Sequence, residues 1–372
     1  MTLLGNRALA DNVILTGIDA ALLTNYRLRD GATYQDVVNM ADAALGGFNA
    51  GLGNDPFWSM LISFTDQMES RYAIGNSASM VAHTEYGRPD PTRAEIAGHM
   101  LPLRKWDHML GWTSDYLEEA RMTDLEADIA MAIEAAQNRY RISLLQRLLK
   151  RGDDSGATNG LSTTGLSPGF ATAAANTGVD FIPPSYAGTT FTSAHEHYVA
   201  DAGGAFTLAI FQDAAAELRE HGHEPPYEFL ISPADETVVT AISPGFLSVN
   251  EALVNAGILA AQVNFSGATV NGKRPIGAIS DFRVWVVPGM PDNYGFGFKS
   301  YGPNNQRNPL RVRVPEGSRA PQLRAIRDSN NPGIAPVQNL MTQIAFGVGV
   351  GDRTNGTPRY VNNANWADGT AA

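Results

Sequence analysis

TDLEADIAMAIEAAQNRYRISLLQRLLKRG, Thr123 to Gly152, carries the clearest periodicity in the chain. Apolar residues recur at Leu125, Ile129, Ile133, Ala136, Tyr140, Leu144 and Leu148, steps of four and three that draw one stripe along a helix. Thr123 and Glu126 have the spacing of a capping box, and Asp124 suits the positive end of the helix dipole. Lys150 and Arg151 suit the negative end, where Gly152 can close the helix. At ~1.5 Å per residue such a helix runs roughly 40 Å, far beyond the usual ~11 residues. A rod of that length needs a surface to lie across. The opposite, outer face carries Glu126, Asp128, Gln137, Arg141 and Arg147.

The chain has 372 residues, 44% of them hydrophobic, enough to build real cores in two or three domains. Its net charge of −11 gives no general electrostatic footprint of a nucleic-acid-binding module. Only four of its 27 basic residues are lysines. Arginine-rich surfaces suit bidentate contacts at protein interfaces, although compositional bias of the source genome accounts for the count equally well. No cysteine is present, which excludes disulfides, thiolate metal sites and a cysteine nucleophile. No run reaches the ~18 apolar residues of a membrane span, and the N-terminal segment lacks the apolar core of a signal peptide. No membrane partner is expected.

Outward from the long helix, residues 1–32 have no clear period and read as an extended arm. Thr33 caps a second amphipathic helix with Val37, Val38, Ala41, Leu45 and Phe48 on one side, and Gly46, Gly47, Gly51 and Gly53 are expected to dissolve its end. From Gln67 to Trp112 the period changes to alternation, broken by Gly87, Pro89 and Pro91, which reads as a long two-stranded hairpin. Two strands alone are marginal in water, so such a finger should rest on another surface. Trp106, His108, Met109 and Trp112 read as its base. After Gly152, residues 153–193 are of low complexity and read as an irregular loop. α/β patterning resumes at Phe206 with a helix to about Gly222, the strand YEFLI, and a helix begun by Ser232 and Pro233. Val270-Asn271-Gly272-Lys273 is a hairpin turn, and FRVWVV (282–287) a central strand. The segment from Leu340 alternates and then passes into a polar tail.

Two histidine groups look like metal-ligand sets, His195-Glu196-His197 and His221-Gly222-His223-Glu224. Neither has the HExxH helical spacing, and both read better as surface or helix-capping residues, so neither a metal nor a cofactor is expected. Gly347-Val348-Gly349-Val350-Gly351 lacks the lysine and serine of a phosphate loop and reads as a bent strand. There is no GxSxG elbow. Arg151-Gly152-Asp153 and the sequons at Asn264 and Asn355 are chance matches. No enzymatic function is indicated.

The order of parts resembles the major capsid proteins of tailed bacteriophages, the Hong Kong 97-type fold. The likeness is carried by Trp106 to Asp154, by Gly160-Leu161 and Gly165-Leu166, by the helix 206–221 with YEFLISPADETVVTAI, by VWVVPGMP, by LRVRVP and by the strand from Leu340. It implies an α+β chain with an N-terminal arm (1–66), an extended E-loop hairpin (67–112), a peripheral domain with the long spine helix (113–155 and 320–362), an axial α/β domain (156–319) and a C-terminal tail (363–372). It implies a structural protein that joins itself as pentamers and hexamers into an icosahedral virion shell, assembled in the host cytoplasm around packaged double-stranded DNA that it contacts weakly. Portal, scaffolding and decoration proteins are the implied partners. Tyr86, Arg88, Asp90 and Arg93 at the finger tip are the implied inter-subunit contacts.

Some members of that family link a finger lysine to an asparagine of a neighbour. The finger tip here has no lysine and Lys105 lies near its base, so no covalent cross-link is expected. About 66 residues precede the finger, which implies a separate scaffolding protein in place of a long cleavable segment. The alternatives are an encapsulin-type nanocompartment shell, with the helix 33–48 docking cargo, and a soluble metal-dependent α/β enzyme using His195 or His223.

Overall fold

The computed structural model describes residues 13–15, 27–74, 95–153, 166–172, 181–248, 272–327 and 337–371. In chain order the strands are β1 (Val13–Leu15), β2 (Ile62–Thr65), β3 (Glu69–Ile74), β4 (Glu95–Met100), β5 (Arg104–Thr113), β6 (Val199–Ala200), β7 (Tyr227–Ile231), β8 (Phe246–Ser248), β9 (Arg274–Ile279), β10 (Phe282–Val286), β11 (Tyr294–Phe298), β12 (Leu310–Arg313), β13 (Leu323–Arg327), β14 (Val337–Val350) and β15 (Thr357–Tyr360). The helices are α1 (Tyr34–Asn54), α2 (Ser114–Glu119), α3 (Met122–Leu149), α4 (Leu208–Glu220) and α5 (Glu236–Thr240). Two compact units divide the chain, one of residues 1–55, 103–141 and 314–347, the other of residues 56–102, 142–313 and 348–372. This grouping cuts the chain elsewhere than the sequence-based boundaries do: the hairpin root and the last turns of α3 fall in the second unit.

In the first unit β1 pairs in parallel with β13, β13 antiparallel with β14, and β14 antiparallel with β5 from Val337↔Thr113 to Phe346↔Arg104. Residues 104–113, expected as the base of the finger, are therefore a ten-residue sheet strand. Alternation is common to all half-buried strands and does not name the partner, here more than 220 residues away. Helix α1 starts at a full capping box, with Thr33 and Asp36 satisfying each other's backbone N–H. It runs on through all four glycines to Asn54, since Leu52 is buried and Gly53 leaves room for Ala320. Asn49 anchors it to β13, its amide accepting from Leu323 N (2.7 Å) and donating to Leu323 O (3.0 Å).

Helix α3 begins at Met122, two residues before the start that a cap at Thr123 would give. Asp124, in the first turn, reaches back to the residue before the helix, its carboxylate accepting from Arg121 N at 2.8 Å. Asp30 accepts from Met122 N at 2.9 Å, and that bond holds its carboxyl below the usual range. Leu125, Ile129, Ala132, Ala136 and Tyr140 are buried, whereas Ile133 is only half-buried. The inward stripe thus steps by four, three, four and four and passes through Ala132, because at 100° per residue Ile133 has turned to the stripe's edge. Asp128 is not free for a partner protein, since Trp112 Nε1 donates to it at 2.8 Å.

In the second unit a seven-stranded sheet has the order β6-β15-β11-β7-β10-β9-β8. All five residues of β7 are buried, between parallel β10 and antiparallel β11. Phe206 and Phe211 pack on Phe229 and Phe282 beneath α4. The alternation in YGFGF supplies the space: a Cβ on Gly295 would lie 2.5 Å from the Phe229 ring, and one on Gly297 3.0 Å from Phe282. Buried Glu228 is satisfied by Arg283 Nε (2.7 Å) and Trp285 Nε1 (2.6 Å). Ser232 does not cap a long helix; its Oγ accepts from Ala234 N and the short α5 begins after Asp235. Val270 and Asn271 of the expected hairpin turn lie outside the described residues, and Gly272 adopts φ +79°. The polar tail is partly docked: Asp368 accepts from Arg151 N (2.9 Å), Tyr294 donates to Ala367 O (2.9 Å), and Ala371 is buried.

Candidate functional site

Tyr86, Arg88, Asp90 and Arg93 lie outside the described residues. The root of their hairpin is described, with β3 and β4 antiparallel from Glu69↔Met100 to Ile74↔Glu95. Leu101 N donates to Met68 O (2.7 Å), Ser167 N to Met100 O (3.1 Å), and Arg313 to Leu101 O (2.7 Å). His99 in β4 is buried beside Arg353, Arg147 and Arg311, and burial first, then these charges, lowers its pKa to about 3. Lys105 points outward from β5.

In the second unit Leu144, Leu145, Leu148 and Leu149 bury the last turns of α3 on several sides. Arg147, expected on the outer face, is buried and caps those turns, donating to the carbonyls of Ser167, Lys150 and Gly152. Arg353 donates from Nε to Gly169 O at 2.9 Å and lies 4.3 Å over the Phe181 ring. Two arginines thus satisfy carbonyls of residues 166–172, part of the stretch expected as an irregular loop, where Phe170 and Ala171 are fully buried. Neither role has a local sequence signal, because each joins segments distant in the chain.

The histidines depart furthest from expectation. His195, His197 and His221 are not separate surface residues but converge through their Nε2 atoms, at 3.0 Å (195 to 197), 3.0 Å (195 to 221) and 2.8 Å (197 to 221). Helix α4 carries Glu220 on its last turn and His221 at its C-cap, and places Glu220 Oε1 3.4 Å from His195 Nε2 and 3.6 Å from His221 Nε2. His197 is fully buried and its Nδ1 donates to Gly356 O at 2.7 Å. The Phe191 ring packs on His195 (4.8 Å) and His221 (4.4 Å). Burial lowers the pKa of all three imidazoles, His221 to about 3, and the mutual proximity of His197 and His221 to the other histidines adds to it. His223 turns away, pairing with Tyr301 Oη (2.7 Å) and Thr354 Oγ1 (3.1 Å). The nearby Glu217 is raised to about 7 by burial against the pull of Arg359, which donates to it at 2.6 Å. The sequence carried HEH and HGHE, but nothing local says that two loops so far apart share a point, and Glu220 was not singled out.

Asn355 is buried with its amide fully used, donating to Lys299 O and Arg307 O and accepting from Lys299 N, so its sequon is closed. Among the described residues no helix is long and apolar enough to cross a membrane.

No protein-family model matches this chain, and no curated protein does. Among solved structures, a chain of Mycobacterium phage Patience is similar with a TM-score of 0.65 at 16% identity, over 96% of this chain and 100% of that one. A chain from the capsid of the native GTA particle is similar with a TM-score of 0.50 at 12% identity, over 83% of this chain and 90% of that one. The likeness is one of fold.

Proposed function

We propose that this chain, which has a phage-capsid-type fold, is the major capsid protein of a tailed bacteriophage, a structural protein and not an enzyme. The observation that carries the reading is the end-to-end match to the phage chain, which leaves neither chain with a large unmatched domain. In this reading copies join as pentamers and hexamers into an icosahedral virion shell around double-stranded DNA, with assembly in the host cytoplasm. The hairpin begun by β3 and β4 lies across a neighbouring subunit, which supplies the surface a two-stranded ribbon lacks. Tyr86, Arg88, Asp90 and Arg93 make contacts there, bidentate where arginine meets carboxylate. Partners are further copies, a scaffolding protein, a portal and a decoration protein. The net charge of −11 suits a wall that holds DNA without the tight, salt-dependent affinity of a basic surface.

Negative-stain electron microscopy of the chain expressed alone and with its neighbouring genes tests this. Hollow icosahedral particles support the reading; a monomer under every condition overturns it. Particles that enclose an enzyme in place of nucleic acid would transfer it to the encapsulin type. On a boiled denaturing gel the shell protein runs as a single monomeric band, whereas a ladder of covalent multimers would contradict the absence of cross-linking.

A further inference from the structure

We propose that His195, His197, His221 and Glu220 form a structural binding site for a divalent transition-metal ion of the zinc type. The site lies wholly within the second unit, and the inference stands whether or not the chain builds shells.

A neutral imidazole has one N–H and one lone pair. His197 uses its Nδ1–H on the Gly356 carbonyl, so its Nε2 presents a lone pair. If His195 and His221 both carry their protons on Nε2, each can donate to His197, but their two N–H groups then oppose each other across 3.0 Å. If either is the other tautomer, its lone pair faces that of His197 at 2.8 or 3.0 Å. Every neutral arrangement of the triangle therefore leaves at least one repulsive contact. Protonating the rings instead would crowd positive charge into a place where the His221 side chain is 1% and the His195 side chain 18% exposed. A cation at the centre accepts all three lone pairs at once.

The surroundings supply further features of a metal site. Zinc–nitrogen bonds place tetrahedral ligand nitrogens ~3.3 Å apart, so the three imidazoles need to part by only a few tenths of an ångström. Glu220 Oε1 supplies the fourth donor and a negative charge; all the ligand atoms lie within 4.8 Å of one another. The C-terminus of α4 directs its negative dipole end at the same point. The Gly356 carbonyl orients His197 as an outer-shell acceptor, and Phe191 walls the site against solvent. Imidazole and carboxylate donors in a four-coordinate set with no thiolate suit zinc, and cobalt serves as its spectroscopic substitute. Four protein ligands leave no open position for a substrate, which makes the site structural and not catalytic. Its mechanical effect is to tie residues 195–197 to the end of α4.

The full chain is stripped with EDTA, dialysed, and titrated with Zn²⁺ and separately with Co²⁺. Elemental analysis is expected to find one metal ion per folded chain, and Co²⁺ the strong visible absorption of a tetrahedral site. His195→Ala and Glu220→Gln, the more exposed ligands, are each expected to weaken binding at least ~10-fold in a chelator competition, as outer-shell changes alone can. His108→Ala, in the other unit, should leave it unchanged. A folded wild-type chain that takes up no stoichiometric zinc or cobalt overturns the proposal, and so do ligand variants that fold, as judged by circular dichroism, and bind as the wild type does. The wild-type stoichiometry decides even if the variants do not fold.

Discussion

The ring of Tyr140 on α3 meets the ring of Phe346 on β14 edge-on, with centroids 5.2 Å apart and planes at 84°. Both residues are buried, the Trp106 ring on β5 lies 6.4 Å from that of Phe346, and the Arg139 guanidinium lies 3.5 Å over the Trp106 ring. Two adjacent helix residues, Arg139 and Tyr140, thus anchor the long helix to β5 and β14 of the first unit's sheet.

Tyr140→Ala is expected to cost about 3–5 kcal/mol, the usual range for emptying a buried aromatic site. Tyr140→Phe should behave in the opposite way. The hydroxyl is buried with no hydrogen-bond partner among the described residues, so its removal should be neutral or stabilise by up to ~1 kcal/mol. Urea denaturation of both variants checks the pair; a phenylalanine variant as damaged as the alanine one would show that the hydroxyl is satisfied.

A charge at Ala132 should do more harm than one at Ile133. Ala132 is 1% exposed on the inward stripe, and an aspartate there has no partner and no route to solvent. Ala132→Asp should destabilise by more than ~4 kcal/mol and abolish soluble folded chain, while Ile133→Asp should retain folded protein at reduced stability. Equal yields of folded protein from the two variants would place the stripe wrongly.

Gly351→Ala should be more costly than Gly349→Ala. A Cβ at 351 would meet the Asn308 carbonyl at 2.8 Å, which is backbone, whereas one at 349 meets the end of the Leu101 side chain, which can shift rotamer. Comparing urea midpoints tests the order; a larger loss at 349 would mean that Leu101 is locked.

His99 should make the fold sensitive to acid. Its folded pKa is about 3 and its unfolded value about 6.5, so between these the unfolded state binds the extra proton. Its contribution is therefore fully present above pH 6.5 and lost as pH falls toward 3. Asp235, raised to about 6 mainly by burial, works the other way, its carboxylate destabilising the fold as pH rises through 4 to 6. Histidine NMR should show the His99 ring still neutral at pH 5; a resonance titrating near 6.5 would contradict its burial among three arginines.

Legibility in the sequence followed chain separation. Helices α1 and α3 and strands β7 and β10 announce themselves because period, caps and apolar runs are local properties. The cap at Thr33 is a four-residue matter and was legible; the shift from Ile133 to Ala132 is one residue of phase and was not. Strand β5 reads as hairpin in the sequence because its partner, β14, lies far along the chain. Arg147 and the three histidines read as surface or capping residues, and Arg353 carries no local signal, because their work is created only by tertiary convergence. The tail is polar by composition yet is held by Arg151, Tyr294 and Asp368.

Electron cryomicroscopy of particles formed by this chain decides whether it is a shell subunit. The expected result is a closed icosahedral shell whose repeating density accommodates this fold in both five-fold and six-fold clusters, with the hairpin from β3 and β4 resting on an adjacent copy. Particles without that repeat, or a chain that stays monomeric in the presence of its scaffolding partner, would contradict it.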